Sequence, residues 1–143
     1  MMVKHILADK GTEVFTLSLE ATGAEAAKAL AAYNIGALIV ATPDKVIRGI
    51  LSERDIVRAI SSEGPEALQR SATELMTSKV RTCTEESTVL EVMELMTEGR
   101  FRHLPVERDG KLVGVISIGD VVKRRIKEVE REAEEIRSYI ASA

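Results

Sequence analysis

The sequence predicts an α+β protein built from two copies of one β-α-β-β-α unit, and three observations support this fold class. The segment Gly49–Asp55 returns as Gly114–Asp120, 65 residues later, with glycine, serine and aspartate at the same places. Upstream, the Thr-x-x-Glu tetrapeptide at 22–25 returns at 88–91, with a spacing of 66 residues. Within each copy, short β-branched runs alternate with segments of helical periodicity. A chain of 143 residues therefore consists of a tandem repeat.

The elements of the first copy follow in order along the chain. β-branched residues predict a short strand over 14–17. Thr22, with Glu25 three residues later, predicts a capping box at the start of a helix that runs to Tyr33. Two strands follow, over 37–40 and 47–51, joined by a turn at Pro43-Asp44. A second helix then closes the copy after Ser52.

The second copy has the same order. A strand is expected over 80–83, and a helix over 88–98 that a second Thr-x-x-Glu capping box begins. Two strands over 104–106 and 112–117 flank Asp109-Gly110, which is a strong hairpin signal. From Ile118 to Ile140 the pattern predicts one long closing helix.

The repeat divides the chain into residues 1–62 and 72–143. Between them, Ser61–Pro65 predicts a helix end and a loop, and 66–71 a short connecting helix. About 60 residues bury too little surface to fold comfortably alone, so we expect the copies to share one core with pseudo-two-fold symmetry. Such pairing leaves clefts in which small ligands usually bind.

Composition and charge exclude several classes of protein. The chain carries 20 Lys and Arg against 23 Asp and Glu, for a net charge of −3, and has no Trp. It therefore lacks the basic surface and stacking platforms that nucleic-acid binding needs. No apolar run approaches the roughly 18 residues of a membrane span, and the charged N-terminus does not fit a signal peptide. With Cys83 as the one cysteine and no His/Cys cluster, we expect a cytoplasmic protein without disulfides or a bound metal. Cys83 itself is expected to pack in a core strand.

The Gly-x-x-Ser-x-x-Asp segments admit two interpretations. In the first, serine caps the helix and aspartate completes a variant capping box, which is a purely structural role. In the second, the glycine marks a close approach of another group, and the helix N-terminus with its serine hydroxyl holds a phosphate. An aspartate one turn into the helix would then accept hydrogen bonds from a ribose diol.

The two units resemble a tandem pair of CBS domains, the cystathionine β-synthase type, also called a Bateman module. Three phrases carry the resemblance besides the repeated segment: 35–40 (Ile-Gly-Ala-Leu-Ile-Val), 51–57 (Leu-Ser-Glu-Arg-Asp-Ile-Val) and 102–106 (Arg-His-Leu-Pro-Val). The resemblance covers nearly the whole chain. It implies a regulatory module that binds an adenosine ligand: AMP, ADP, ATP, S-adenosylmethionine or NAD(H). We place AMP first and NAD(H) second.

The resemblance also implies a set of nucleotide-binding residues. Asp55 and Asp120 match the ribose carboxylates, with Ser52 and Ser117 as their hydroxyl partners. The other matching positions contact adenine, read its edge, or place cations against phosphate: Ile35, Ala37, Arg54, Phe101, Arg102, His103 and Pro105. If each cleft combines the two copies, Asp55 faces Arg102 and His103, and Asp120 faces Arg54. Arg102 as a solvated surface cation and His103 as a partly buried, hydrogen-bonded residue are the structural alternatives.

Function separates into three classes. Catalysis is not expected, because no nucleophile elbow, metalloprotease helix or phosphate-binding loop occurs in the sequence. A sensor would act through a ligand that favours one arrangement of the pair. Since no output domain accompanies the repeats in this sequence, we expect its signal to pass to an unidentified regulated partner or through self-assembly.

The alternative is an interaction scaffold that uses the C-terminal helix and acts without a ligand. Its apolar residues are spaced 4, 3, 4, 3 and 4, which makes a heptad pattern of under three repeats: Val122, Ile126, Val129, Ala133, Ile136 and Ile140. We expect this helix to join the copies of a homodimer. The structural alternative is that it packs on its own chain.

Overall fold

A computed structural model describes residues 1–142, and it has mixed α and β structure with two small sheets. The predicted α+β class is thereby confirmed. The elements in chain order are α1 (Val3–Lys10), β1 (Thr16–Leu17), α2 (Gly23–Tyr33), β2 (Ala37–Ala41), β3 (Ile47–Ser52), α3 (Glu53–Glu63), a 3-10 helix (Pro65–Gln69), α4 (Ala72–Leu75), α5 (Val89–Gly99), β4 (His103–Arg108), β5 (Lys111–Ser117) and α6 (Ile118–Ser142).

The chain divides into two compact units, which are described separately. The first unit comprises residues 13–81 and 107–113. The second comprises residues 1–12, 82–106 and the chain from residue 114 onward. These units differ from the sequence repeats, whose boundaries at 1–62 and 72–143 stay a prediction.

The first unit is built on a three-stranded sheet in the order β1-β2-β3. Strand β2 runs parallel to β1 and antiparallel to β3, with Leu38 opposite Leu51 and Val40 opposite Gly49. Alternate residues of a strand face the same side, so the apolar positions of β2 and β3 meet a common core. That core consists of Leu17, Ala21, Ala26, Leu30, Leu38, Val40, Leu51, Ile56 and Ala72.

Strands β4 and β5 form the second sheet, and the predicted hairpin is confirmed. Asp109 and Gly110 both have positive φ, at 53° and 78°. A two-residue turn of this kind needs left-handed backbone at both positions, which aspartate tolerates and glycine adopts freely.

The strand expected over 80–83 is wrong in its length. Only Cys83 makes a bridge, parallel to Val106, where the first copy pairs Leu17 with Val40. The Cys83 N–H donates to the Pro105 carbonyl at 3.0 Å. Pro105 has no N–H to donate in return, whereas its counterpart in the first copy is Ile39, so the ladder ends after one bridge.

Two short helices, α1 and α4, lie at the start of the two repeats, and we call them the lead helices. Helix α1 begins where the Val3 and Lys4 N–H groups donate to the carbonyls of Ser87 and Glu85. Helix α4 begins similarly, because the N–H groups of Ala72 and Thr73 donate to the carbonyls of Ala21 and Leu19. Each lead helix therefore docks at the start of a helix from the other repeat.

The lead helices were not identified as such from sequence. Helix α1 was not predicted, although Val3, Ile6 and Leu7 have helical spacing and are buried. The short connecting helix expected over 66–71 is present as the 3-10 helix over 65–69, which ends two residues early, and α4 follows it. Ser71 separates them and caps α4, where it accepts a hydrogen bond from the Glu74 N–H at 3.3 Å.

The long closing helix is confirmed as α6, which packs on α1 and α5 within the second unit. Val121 is its buried residue, and its N-terminal half contributes ion pairs to α1. Within residues 1–142, no helix is both long enough and apolar enough to cross a membrane.

Candidate functional site: two strand-to-helix corners

The first corner is the junction of β3 and α3, at Ser52. The Ser52 hydroxyl accepts a hydrogen bond from the Asp55 N–H at 3.2 Å. The Asp55 Oδ2 in turn accepts from the Ser52 N–H at 2.9 Å and from the Ser52 hydroxyl at 3.0 Å. This is a complete capping box, in which each side chain satisfies a backbone donor of the other residue.

The second corner, at the junction of β5 and α6, repeats this arrangement. The Ser117 hydroxyl accepts from the Asp120 N–H at 3.2 Å, and Asp120 Oδ2 accepts from the Ser117 N–H at 2.8 Å. The structural interpretation of the Ser-x-x-Asp segments is therefore confirmed for both copies. Asp55 and Asp120 are both half-buried.

The corners differ in what else contacts the aspartate. At the first corner, the Thr77 hydroxyl donates to Asp55 Oδ1 over a long 3.4 Å. At the second, Lys10 of α1 donates to Asp120 Oδ2 at 2.7 Å and forms an ion pair with it. Lys10 Nζ also donates to the Val115 carbonyl at 3.0 Å.

The ionisation of Asp120 reflects these contacts. Burial raises the pKa of Asp120, but hydrogen bonds from Lys10 and Ser117, together with the Lys10 charge, outweigh it. The pKa of Asp120 is therefore below its usual range, and the carboxylate is charged at neutral pH.

The two corner glycines make room for the chain itself. A Cβ added at Gly49 would lie 2.8 Å from Met76 Cγ and 2.9 Å from the Thr77 carbonyl oxygen. A Cβ added at Gly114 would lie 2.8 Å from Leu7 Cδ2. Each glycine thus leaves room for a neighbouring segment: Leu7 of α1 packs at Gly114, and Met76, directly after α4, packs at Gly49. The close approach inferred from sequence is real, but the approaching group belongs to the protein.

The backbone donors at the corners are also largely engaged. The first N–H of α3, on Glu53, donates to the Gly36 carbonyl at 3.0 Å, and that of α6, on Ile118, donates to the Arg102 carbonyl at 2.8 Å. The third N–H of each helix is the one capped by serine. Internal partners therefore take two of the first three N–H groups of each helix, which leaves fewer backbone donors for a phosphate.

The remaining candidate residues are divided between the two units. In the first unit, Ile35 is half-buried and packs against the core, Ala37 pairs with Ser52 across β2 and β3, and Arg54 is exposed. In the second unit, Phe101 is half-buried with its ring over Gly99, and Pro105 is buried.

His103 and Arg102 are adjacent residues with different surroundings. Arg102 is exposed, as the structural alternative holds. Burial lowers the pKa of His103, and the charges of Lys10 and Arg102 lower it further against the opposing effect of Asp120. The imidazole is therefore neutral at neutral pH, and it is not a standing cation.

Sequence reasoning missed two contacts of the candidate site, Lys10 and Thr77. Both residues lie near the start of a repeat, outside the Gly-x-x-Ser-x-x-Asp pattern. The position of Lys10 on the exposed side of α1 would have been a signal only if α1 itself had been predicted. Its target, Asp120, is 110 residues away.

A reactive thiol and a metal centre are the two other kinds of site that these side chains could form. Cys83 is buried, and burial raises the pKa of its thiol to about 12, so core packing is confirmed and a reactive thiolate is not formed. In the part of the chain that the structure describes, no group of three or more His, Cys, Asp or Glu side chains could hold a metal ion.

Comparison with known proteins places the chain in a family. The family model for the CBS domain matches residues 3–62 and again 72–127. A crystal structure of the CBS-domain containing protein ATU1752 from Agrobacterium tumefaciens is 47% identical, covering 87% of this chain and 99% of that one with a TM-score of 0.83. The mitochondrial CBS domain-containing protein CBSX3 from Arabidopsis thaliana is 38% identical over 81% of this chain. The match spans 58% of that relative's length.

Two more distant structures carry ligands. The CBS domain protein PAE2072 from Pyrobaculum aerophilum, complexed with AMP, is 28% identical over 84% of this chain and 89% of its own, with a TM-score of 0.73. The CBS domain pair of MJ0100, in complex with 5′-methylthioadenosine and S-adenosyl-L-methionine, is 25% identical over 90% of this chain and 98% of its own. Its TM-score is 0.76. From the two matched repeats and these relatives, the chain belongs to the CBS domain family.

Proposed function

We propose that this protein is a regulatory module that binds an adenosine ligand at its strand-to-helix corners, with AMP as the favoured ligand. The observation that carries the proposal is the duplicated Ser–Asp corner in a family whose solved members include complexes with AMP and with S-adenosyl-L-methionine. Those two neighbours share an adenosine group between their ligands. The preference for AMP over NAD(H), ATP or S-adenosylmethionine rests on the absence of a motif for a second base or a longer chain.

In this proposal the aspartates bind ribose. A carboxylate has acceptor sites beyond those that a capping box uses, so Asp55 and Asp120 can cap their helices and also accept from a diol. Ser52 and Ser117 orient the carboxylates. Adenine lies against an apolar side chain of each unit, Ile35 beside Ala37 in the first and Phe101 beside Pro105 in the second. The cations for a phosphate are Arg54, Arg102 and, once protonated, His103.

Lys10 gives the second corner a way to report on its ligand. A diol that hydrogen-bonds to Asp120 competes with the Lys10 ammonium, which holds the same carboxylate at 2.7 Å. Because Lys10 is the last residue of α1, a ligand at Asp120 changes how the end of this helix is held. Such differential contact is what allows a ligand to shift a conformational equilibrium.

Binding rather than catalysis is proposed. The serine hydroxyls are engaged as helix caps and the Cys83 thiol stays protonated, so neither side chain is set up as a nucleophile. In this proposal the signal passes through a change of conformation or of assembly. We further propose that the protein forms a homodimer and acts on a regulated partner in the cytoplasm.

A ligand-independent scaffold is the second candidate. The observation that favours it is the exposed apolar stripe of α6, defined by Val122, Ile126, Val129, Ala133, Ile136 and Ile140 and called the α6 stripe below. Five of its six residues are exposed large hydrophobics. In this function the adenosine ligand plays no part, and α6 alone supplies the interaction.

Thermal unfolding with a panel of adenosine compounds tests the proposal. A ligand present at a hundred times its dissociation constant adds about 2.7 kcal/mol to the stability, which raises the midpoint by several degrees. We expect AMP to raise the midpoint, and guanosine monophosphate to leave it unchanged. If no adenosine compound raises it, the sensor is refuted and the scaffold stands.

The matched variants are Asp55→Asn and Asp109→Asn. Asparagine at 55 keeps an acceptor for the helix cap but removes the charge, and we expect AMP affinity measured by calorimetry to fall about tenfold. Asp109 lies in the hairpin turn, where asparagine tolerates the left-handed backbone, so Asp109→Asn should bind as the parent does. Unchanged AMP affinity in Asp55→Asn would remove Asp55 from the site.

A further inference from the structure

The α6 stripe lies on a side of α6 that its own unit leaves largely exposed. On the side of α6 that packs on its unit, Val121 is buried and Asp120, Arg124, Arg125 and Glu128 are half-buried, with Arg125 paired to Glu128 at 3.1 Å. Among the stripe residues, Ile126 is 54% exposed and Ile140 is 67% exposed. A contiguous apolar surface of this kind on a charged helix marks a binding face.

The stripe follows a heptad, which defines the flanking positions as well. The 4-3 spacing assigns Ile126, Ala133 and Ile140 to position a and the other three members to position d. The stripe spans 19 residues, or about 28 Å of helix. Its occupant is therefore a helix with a matching stripe, and the chain supplies one in a second copy.

The charges beside the stripe select an orientation. Position g holds Arg125, Glu132 and Tyr139, and position e holds Lys123, Glu130 and Arg137. In a parallel pair each g residue meets the e residue five places later on the other helix. Arg125 then meets Glu130 of the second copy, and Glu132 meets Arg137. Both contacts join opposite charges.

The antiparallel arrangement joins like charges instead. The register that aligns all six stripe residues places Val122 opposite Ile140 and Val129 opposite Ala133. In that register e residues face e residues and g residues face g residues. Lys123 then meets Arg137, while Glu130 and Glu132 each meet their own counterparts. Like charges at these positions disfavour the pairing.

We propose that two copies of this chain associate through a parallel pairing of their α6 helices. The orientation rests on the self-association named above as part of the function. Because Asp120 lies in the first turn of α6, a parallel pair brings the second corners of the two copies to the same end of the helix pair. A ligand at one corner then lies beside its counterpart in the other copy.

Disulfide trapping tests the orientation directly. We expect Ile140→Cys alone to form a covalent dimer on mild oxidation, because identical a residues meet in a parallel pair. In the antiparallel register the two cysteines would be about 27 Å apart, and a disulfide would form only in a mixture of Ile140→Cys with Val122→Cys. Cys83 is buried and its pKa is raised to about 12, so it does not compete.

Reversing one charge beside the stripe changes the dimer dissociation constant in opposite directions for the two orientations. Arg137→Glu faces Glu132 in the parallel pair, and we expect the dimer dissociation constant measured by sedimentation to rise roughly tenfold. In the antiparallel pair the same change faces Lys123 and would tighten the dimer. Adding Glu132→Arg to Arg137→Glu should restore the affinity of the parallel pair.

The control is Arg131→Glu, which makes the same charge change at the outward f position. Arg131 forms only an exposed ion pair with Glu135, at 3.3 Å, so its reversal should leave the dimer unchanged. A protein that stays monomeric overturns self-association and orientation together. A dimer that is trapped only in the mixture, or that Arg137→Glu tightens, overturns the parallel orientation and leaves self-association standing.

Discussion

At the scale of single residues, the two aspartates have the same local role and different distant contacts. Asp55 and Asp120 both complete capping boxes with the serine three residues before them. In addition to the capping box, Asp55 accepts a long hydrogen bond from Thr77, whereas Asp120 forms an ion pair with Lys10. In the proposed function, a ligand at Asp55 therefore meets less internal competition than a ligand at Asp120.

The Lys10–Asp120 pair predicts a pH-dependent stability. Because the pKa of Asp120 is lower in the folded protein, its contribution is full above the unfolded pKa, about 3.9, and is lost as the pH falls through the folded value. We expect Lys10→Met to cost roughly 0.5–1 kcal/mol in urea unfolding at pH 7 and progressively less below pH of about 4.

The control for this effect is Lys4→Met on the same helix, whose side chain is exposed. It should leave the free energy of unfolding unchanged at both pH values. If Lys10→Met matches Lys4→Met at pH 7, the ion pair contributes nothing to stability.

At the scale of elements, the lead helices and the strands beside them are fitted to each other. Leu7 of α1 lies over Gly114 of β5, and Met76, at the end of α4, lies over Gly49 of β3. The Thr77 backbone extends the second contact, since its N–H and carbonyl bond to Ile50 at 2.9 and 3.0 Å. The glycines of the repeated motif are thus explained by packing between elements.

This packing predicts unequal effects of the same substitution. Gly49→Ala forces Met76 and the Thr77 backbone to move, and overpacking of this kind costs about 1–3 kcal/mol. Gly119→Ala places a methyl group in the first turn of α6, where its nearest neighbour is Ser117 Oγ at 3.6 Å. Alanine there should be neutral or stabilise by up to about 1 kcal/mol.

Urea unfolding of the two variants measures the difference. Equal stabilities for Gly49→Ala and Gly119→Ala would show that the residues over Gly49 yield without cost. The explanation of the repeated glycines by packing would then fail.

At the scale of the whole molecule, α6 serves two purposes along its length. Up to Glu128 it contacts α1 and α5, and the Met1 amino group pairs with Glu128 at 3.2 Å. Beyond Glu128 its described side chains are exposed, apart from the half-buried Ala133. The first half therefore belongs to the fold, and the second half is available for assembly.

Truncation separates these two purposes. We expect deletion from Val129 onward to leave the thermal midpoint of the monomer nearly unchanged, because the contacts of α6 with its own unit are retained. The same deletion should lower the particle mass in light scattering from dimer to monomer. A mass that stays the same would show that the distal half of α6 does not hold the copies together.

Much of the fold could be predicted because its signals are local. Thr22 and Thr88 cap α2 and α5, because each hydroxyl accepts a hydrogen bond from the N–H of the glutamate three residues later, at 3.2 and 3.1 Å. These two caps are one-sided, whereas at Ser52 and Ser71 the carboxylate also accepts from the serine N–H and completes a capping box. Asp109-Gly110 specifies its own turn. Such features depend on neighbours three or four residues away, and a single sequence displays them.

The sequence by itself determined the repeat, the order of its elements, and the serine–aspartate corners, because backbone caps and hydrophobic periods are short-range physics. Only the tertiary structure decided what fills the space at each corner: Leu7 over Gly114, Thr77 beside Asp55, and Lys10 on Asp120. These contacts join segments that are far apart along the chain. Packing and charge neutralisation act through space, so a local sequence pattern does not predict them.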